Sequence, residues 1–293
     1  MNLYGTQTKV SKRKKEREKR KKRKGRVALN ILNEIALRTK ERIDGKKKIL
    51  PMDKIIETAN QMDSGQDFPF EKSLRGDDIA FICEIKKASP SKGIIADDFP
   101  YLQIAADYEA AGAAAISVLT EPFYFKGDDR YLSEISGSVS LPLLRKDFVV
   151  DAYMIYEAKI LGTSAVLLIC SLLDDCRLAE YIKTAHALGL SALVETHTEE
   201  EVEAALNAGA RIIGVNNRNL KTFEVDIATS ERLRPLVPKN KIFVSESGIQ
   251  TPGDVDRMRK IGADAVLIGE TLMCSSDKAA ALKKLRGETF GKN

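Results

Sequence analysis

Residues 165–216 read AVLLICSLLDDCRLAEYIKTAHALGLSALVETHTEEEVEAALNAGARIIGVN, and this stretch decides the fold. Three short apolar runs, Ala165 to Cys170, Ala192 to Thr196 and Ile212 to Asn216, have the length and aliphatic content of strands. Between them lie two helical patterns, each closed by a glycine, Gly189 and Gly209, shortly before the next run. Glycine there suits the left-handed residue that ends a helix. Strand, helix, strand, helix, strand is the signature of repeated βα units and a parallel sheet.

The same unit recurs on both sides. Phe81 to Lys86, Ala115 to Thr120 and Pro142 to Lys146 precede the stretch; Ile242 to Ser247 and Ala265 to Gly269 follow it. Gly112, Gly162 and Gly262 close three more helical segments. Eight runs at steps of roughly 20 to 35 residues predict an α/β protein whose body is a single closed (β/α)8 (TIM) barrel. The runner-up, an open doubly wound sheet, calls for Gly-x-Gly-x-x-Gly after the first strand, and none follows Lys86.

Upstream, Ala28, Ile31, Leu32 and Ile35 fall at helical spacing, and Met52, Ile55, Ile56 and Ala59 repeat it behind Pro51, a good first helical residue. Residues 63 to 78, with Gly65, Pro69 and Gly76, read as an irregular connection. The expected division is a basic disordered arm at 1–26, a helical extension and linker at 27–78, and the barrel at 79–293. Across the 293 residues, 47 Lys and Arg against 42 Asp and Glu give a net charge of +5. Thirteen of the basic residues lie in residues 1–26, against only Glu16 and Glu18, so the remainder holds 34 basic and 40 acidic residues, a net of −6. The positive charge belongs to the arm. Residues 11–24 offer no aromatic side chain for bases to stack on, so nucleic acid is the weaker reading of that charge.

No apolar run approaches the roughly 18 residues of a membrane-spanning helix, and no secretory apolar segment follows the basic start, so a cytoplasmic protein without a membrane partner is expected. Cys83, Cys170, Cys176 and Cys274 form no Cys-x-x-Cys pair and read as small buried or half-buried thiols. The two histidines, His186 and His197, are too few for a metal cluster and are expected at surface or capping positions.

In a barrel of this kind, chemistry stands at the carboxyl ends of the strands. Strand one ends at Glu84 and Lys86, which share a face while Cys83 and Ile85 take the other. Strand three ends at Lys146, strand five at Glu195, strand six at Asn216 with Arg218 just after, and strand seven at Glu246-Ser247-Gly248. One such charge is ordinarily a solvated rim residue. Two lysines, three glutamates and an arginine aimed at one mouth perturb one another's proton affinities and supply acids and bases. Ser247-Gly248 and Gly269-Glu270, after strands seven and eight, match the phosphate-binding device of many barrels, in which backbone amides of glycine loops approach the dianion.

These segments resemble a known family. Cys83-Glu-Ile-Lys-Lys-Ala-Ser-Pro-Ser-Lys-Gly93, Leu144-Arg-Lys-Asp-Phe-Val149, Leu193-Val-Glu195, Ile213-Gly-Val-Asn-Asn-Arg-Asn-Leu220, Ser245-Glu-Ser-Gly-Ile249 and Leu267-Ile-Gly-Glu270 are similar to the motifs of indole-3-glycerol phosphate synthase. The similarity runs in order from about Leu29 to Leu285. It implies a carboxy-lyase of tryptophan biosynthesis that acts on a small phosphorylated substrate and needs neither cofactor nor metal. It implies Lys146 as the acid of ring closure, Glu195 as the partner in dehydration, and Lys86, tuned by Glu84, as a second donor. Asn216 and Ser247 join that set. Ser89 and Arg218 are implied at the substrate carboxylate, Glu246 as a further substrate contact, and Phe125 and Leu167 as apolar walls. Gly248, Gly269 and Glu270 are implied at the phosphate. Glu270 ranks below Gly269 there, because its carboxylate must point away from a dianion. The rival among enzymes, another phosphate-binding barrel such as phosphoribosylanthranilate isomerase, calls for a cysteine and an aspartate at the strand ends.

Overall fold

The computed structural model of the chain describes residues 31–219 and 222–288. The expected basic arm and Ala28 lie outside the described residues. A helix, α1, occupies residues 31–49, and α2 follows at Met52–Asn60. Pro51 stands at the N-cap of α2, with extended backbone, so the helix proper starts one residue later than the sequence suggests. The connection at 63–78 is less irregular than its glycines and proline imply. It contains a short helix, α3 (Pro69–Ser73).

Eight parallel strands close into a barrel: β1 (Ala80–Ile85), β2 (Ala115–Leu119), β3 (Leu143–Lys146), β4 (Ala165–Ile169), β5 (Ser191–Thr196), β6 (Ile212–Asn216), β7 (Ile242–Glu246) and β8 (Ala265–Ile268). Each pairs with its neighbours in chain order, and β8 returns to β1. The helices at 101–110, 129–136, 153–160, 175–187, 199–207, 228–233, 252–260 and 278–286 alternate with the strands, and a four-residue turn of helix, Glu270–Met273, intervenes after β8. The predicted barrel is therefore present, with strand limits within a residue or two of those read from the apolar runs. The five glycines singled out as helix ends all have φ between +73° and +88°.

Strand alternation sorts the residues into two cores. Ile82, Leu144, Leu167, Leu193, Val244 and Leu267 fill the barrel interior. Their strand neighbours, such as Cys83, Val166, Val194 and Phe243, face the helices in the larger outer core. Helix α3 explains why the interior needs no further filling at its N-terminal end. Phe70 and Leu74 are fully buried in the interior cluster, and Glu71 accepts hydrogen bonds from Ser191 and pairs with Arg211 at the starts of β5 and β6. The cysteine expectation holds for Cys83 and Cys170 and fails for Cys176 and Cys274, which are exposed, because both lie in or beside helices on the solvent side.

The outward face of β3 carries a charge network. Arg145 is fully buried, and its guanidinium donates to Asp129 at 2.8 Å, Glu157 at 2.7 Å and the Met154 carbonyl at 2.9 Å. Asp147 accepts from Arg42 at 2.7 Å and from Thr120 at 2.8 Å. Lys46 reaches both Asp129 and Glu157 at 2.5 Å, and Lys47 reaches Asp151 at 2.6 Å. Arg42, Lys46 and Lys47 all belong to α1, so the helix before the barrel is pinned to the strand that bears Lys146.

Candidate active site

The interior face of the strands turns polar at the carboxyl ends. Glu84, Lys146, Glu195, Asn216 and Glu246 continue the inward-facing positions of β1, β3, β5, β6 and β7, one step above the apolar interior, while Lys86 follows β1 directly. Register brings them level: Glu246 pairs with Asn216, Glu195 with Ile169, and Lys146 with Leu119. Glycine makes room. A β-carbon on Gly214 would overlap the Glu246 carboxylate, and one on Gly269 would overlap that of Glu84.

All fourteen site residues expected from the sequence line one cavity of about 340 Å³, within the range of small-molecule sites. Lys146 stands at its centre, with Nζ 3.5 Å from Glu195 Oε2 and 3.5 Å from Glu246 Oε2. Lys86 Nζ lies 2.6 Å from Glu84 Oε1. Glu84, Glu195 and Glu246 are at most 4% exposed, so their protonation is set by neighbours and not by water. Burial alone would lower the Lys146 ammonium, but Glu195, Glu246 and Glu84 hold it above the usual lysine range. Burial likewise opposes charge on Glu84, and Lys86 and Lys146 overcome it. For Glu195, burial is outweighed by Lys146, His197 and Asn216, which hold its carboxyl well below the ordinary range. Glu246 differs: burial pushes it up to about 7 despite Lys146, with Glu195 and Glu84 adding repulsion, and neither of its oxygens has a hydrogen-bond partner among the described residues.

The loops after β7 and β8 meet on one side. Ser247 takes φ +66° and Gly248 φ +89°, two left-handed residues in succession, an arrangement that costs energy for serine. It is held by Asn217, whose side-chain amide donates to the Ser247 carbonyl and to Ser245 Oγ at 3.0 Å each. Thr271 Oγ1 bridges to the Ile249 carbonyl at 2.8 Å. Glu270 lines the cavity with its carboxylate held by two cations. It lies between Lys92 at 3.2 Å and Arg218 at 3.7 Å, because those two cations face it from the loops after β1 and β6. Ser89 is buried in a two-residue hairpin, Ala88–Ser89 against Gly93–Ile94. The opposite wall is apolar: Phe125 packs on Phe148 with ring centroids 5.9 Å apart, Leu167 closes the floor, and Ile31, Leu32 and Ile35 of α1 form the roof.

Four residues escaped the sequence reading. His197, expected at the surface or in a cap, is mostly buried with its ring against Glu195 at 3.4 Å, because Glu201 draws it inward from the following helix. Asn217 carries the strained turn, Lys92 faces Glu270, and Arg145 anchors the far side of β3. Asn217 and His197 each stand one residue past a strand end, where alternation no longer fixes a side chain's direction, so the sequence offered no firm signal for either.

The profile of the indole-3-glycerol phosphate synthase family matches residues 32–285. A protein named indole-3-glycerol phosphate synthase from Ruminiclostridium cellulolyticum is 58% identical over 257 residues, which cover 88% of this chain and 99% of that one. Its namesake from Endomicrobium trichonymphae is 52% identical over 257 residues, covering 87% and 99%. Among solved structures, 3-hexulose-6-phosphate synthase from Salmonella typhimurium superposes with a TM-score of 0.59 at 14% identity, over 71% of this chain and 96% of that one. That likeness concerns the barrel alone.

Proposed function

The chain belongs to the indole-3-glycerol phosphate synthase family, and from this premise we propose how its barrel mouth converts 1-(2-carboxyphenylamino)-1-deoxyribulose 5-phosphate to indole-3-glycerol phosphate. The reaction, a carboxy-lyase step of tryptophan biosynthesis, releases carbon dioxide and water. A cytoplasmic setting fits a small phosphorylated substrate and described residues that contain no helix long and apolar enough to span a membrane.

The observation that carries the reading is the ammonium of Lys146 set between two buried carboxylates at the centre of the mouth. Held protonated by them, Lys146 gives a proton to the substrate carbonyl oxygen while the carboxylate-bearing ring carbon attacks the carbonyl carbon and closes the five-membered ring. The carboxylate then leaves as carbon dioxide, and its bonding pair returns to the ring and quenches the iminium nitrogen. In the last step the new hydroxyl departs as water with a proton from Lys86, and Glu195 takes the proton from the adjacent ring carbon. Two protons go in and one comes back, which matches the loss of a carboxylate as a neutral molecule.

The remaining groups bind and orient. Asn216 and Arg218 meet the anthranilate end, Arg218 with paired planar donors for the carboxylate, and Ser89 lies beside them. Phe125 and Leu167 contact the ring, with the roof of α1 above it. Amides of the Ser247-Gly248 turn and of Gly269 receive the phosphate, whose arrival displaces Glu270 from Arg218 and Lys92. Glu246, sharing Lys146 with Glu195, keeps its proton near neutrality and donates a hydrogen bond to the substrate without giving the proton up. The isomerase reading loses its thiol, because Cys83 points into the outer core, where burial raises it.

The test is direct. Purified chain is mixed with the carboxyphenylamino-deoxyribulose phosphate, and indole fluorescence is followed. A steady rise that scales with protein concentration is expected, and its absence sinks the reading.

A further inference from the structure

His197 follows β5 and has no part in the mechanism above. Its ring lies between two carboxylates, with Nε2 3.4 Å from Glu195 Oε1 and Nδ1 3.1 Å from Glu201 Oε2. The His197 backbone N–H donates to the same Glu201 oxygen at 2.6 Å, so Glu201 holds the residue at two points. Glu201 is itself fixed. It is the third residue of the helix Glu199–Asn207, and its N–H donates to Oγ1 of the N-cap Thr198. A helix end therefore sets the ring with Nδ1 outward, while Nε2, buried and without a hydrogen-bond partner among the described residues, faces the mouth.

This contact accounts for an asymmetry. Lys146 is equidistant from Glu195 and Glu246, and both carboxylates are buried, yet one is held ionised and the other protonated near neutrality. The ammonium makes part of that choice, because at the same distance it donates a hydrogen bond to Glu195 and none to Glu246. The two sites differ in what else acts on them: Glu195 has the His197 ring at 3.4 Å and the Asn216 amide favouring its charge, and Glu246 has no hydrogen-bond partner among the described residues.

We propose that His197 is a positioning residue, held by Glu201 as the cationic partner that keeps the Glu195 carboxylate ionised and aimed for proton removal in the dehydration step. The inference rests on the reaction proposed above. Titratable groups that face Glu195 are Lys146 from β3, Glu246 from β7, Glu84 from β1 and the Cys170 thiol after β4. Those that face His197 are Glu195, Glu201 and, at longer range, Glu246. Burial works to lower the imidazole, and its two carboxylate neighbours instead raise it to about 10. Splitting a pair of neighbouring carboxylates into one acid and one base is how sites of this kind divide proton roles.

With only two histidines in the chain, ring ¹⁵N spectra of the intact protein without substrate separate them. His197 is expected to remain an imidazolium through pH 8, whereas His186, which burial, Arg211 and Lys241 push down to about 4, is neutral. A neutral His197 ring at pH 7.5 overturns the proposal whatever the activity of the chain. In steady-state assays carried down from pH 9 to about pH 3, His197→Gln is expected to lose about 10- to 100-fold in kcat with KM changed less than about twofold. Its acid limb should move up by about one pH unit, the effect of removing one close opposite charge. Glu201→Gln keeps a residue able to cap the helix and should shift the limb the same way by less, so the point stands even where His197→Gln fails to fold. Unmoved acid limbs in folded variants refute the role. Failure of the parent protein to form indole instead refutes the proposed function and leaves the spectroscopic result intact.

Discussion

Strand β3 has a charge cluster on each face, and the two are opposites in all but composition. Outside, Arg145, Asp129, Glu157, Asp147, Arg42 and Lys46 form hydrogen bonds of 2.5–2.8 Å. Inside, Lys146 approaches its carboxylates no closer than 3.5 Å, and neither Glu246 oxygen has a hydrogen-bond partner among the described residues. A buried ion costs several kcal/mol unless its partners replace water. The outer cluster meets that cost within the fold. The inner one meets it for Lys146, Glu84 and Glu195 but not for Glu246, so bonding saturation, and not charge or burial, separates a structural network from a reactive one.

The contrast breaks most sharply at its two arginine and lysine centres. Lys146→Ala is expected to cut turnover by about 10³-fold or more, while the thermal midpoint stays near that of the parent. Arg145→Ala should do the reverse, costing about 3–5 kcal/mol of stability in urea unfolding by leaving Asp129, Glu157 and Asp147 buried without their common partner. Large activity loss in a folded Arg145 variant, or a large stability loss at Lys146, erases the distinction. Glu195→Gln is expected to lower turnover by about 10²-fold and to let the ring-closed, decarboxylated hydroxy intermediate accumulate in rapid-quench samples.

The smallest effect concerns stability against pH. The folded state holds Glu246 at about 7, above its unfolded value, so the stability tied to its proton is full at low pH and is lost as pH rises through that value. Glu246→Gln, which mimics the protonated acid, should therefore gain on the parent by about 1–2 kcal/mol between pH 5 and pH 8. Parallel stability profiles for the two proteins would show that Glu246 is ionised throughout.

The barrel was legible because eight repeats of one pattern reinforce each other; a one-residue error in any strand is corrected by its neighbours' spacing. The inward-facing end residues were legible too, since alternation places Glu84, Lys146, Glu195, Asn216 and Glu246 on the interior once the strands are known. His197 was not, for a physical reason. It lies past the last strand residue, where alternation stops, and its direction is decided by Glu201 four residues on. The pattern Thr198-x-x-Glu201 does announce a helix start, but only coordinates show that this glutamate reaches back past the cap to the histidine. The outer network was hidden in another way. Arg145 follows two leucines of β3, its own partners come from the helices after β2 and β3, and α1 reaches the same carboxylates with Arg42 and Lys46 across up to 111 positions. Phe70 and Leu74, inside a segment rich in turn residues, gave no periodicity to count.

Helix α1 keeps its anchors and its roof at different ends. Arg42, Lys46 and Lys47 fix one stretch, while Ile31, Leu32 and Ile35 lie over the cavity at least seven residues earlier, about 10 Å along the axis. Mechanically it is a cantilever whose fixed end is bolted beside the strand of the central lysine and whose overhang meets the aromatic half of the cavity. Trimming or enlarging side chains on the overhang therefore reshapes the room above the ring without loosening a single bolt, which makes the first turns of α1 the place where fit can drift while the chemistry below stays rigid.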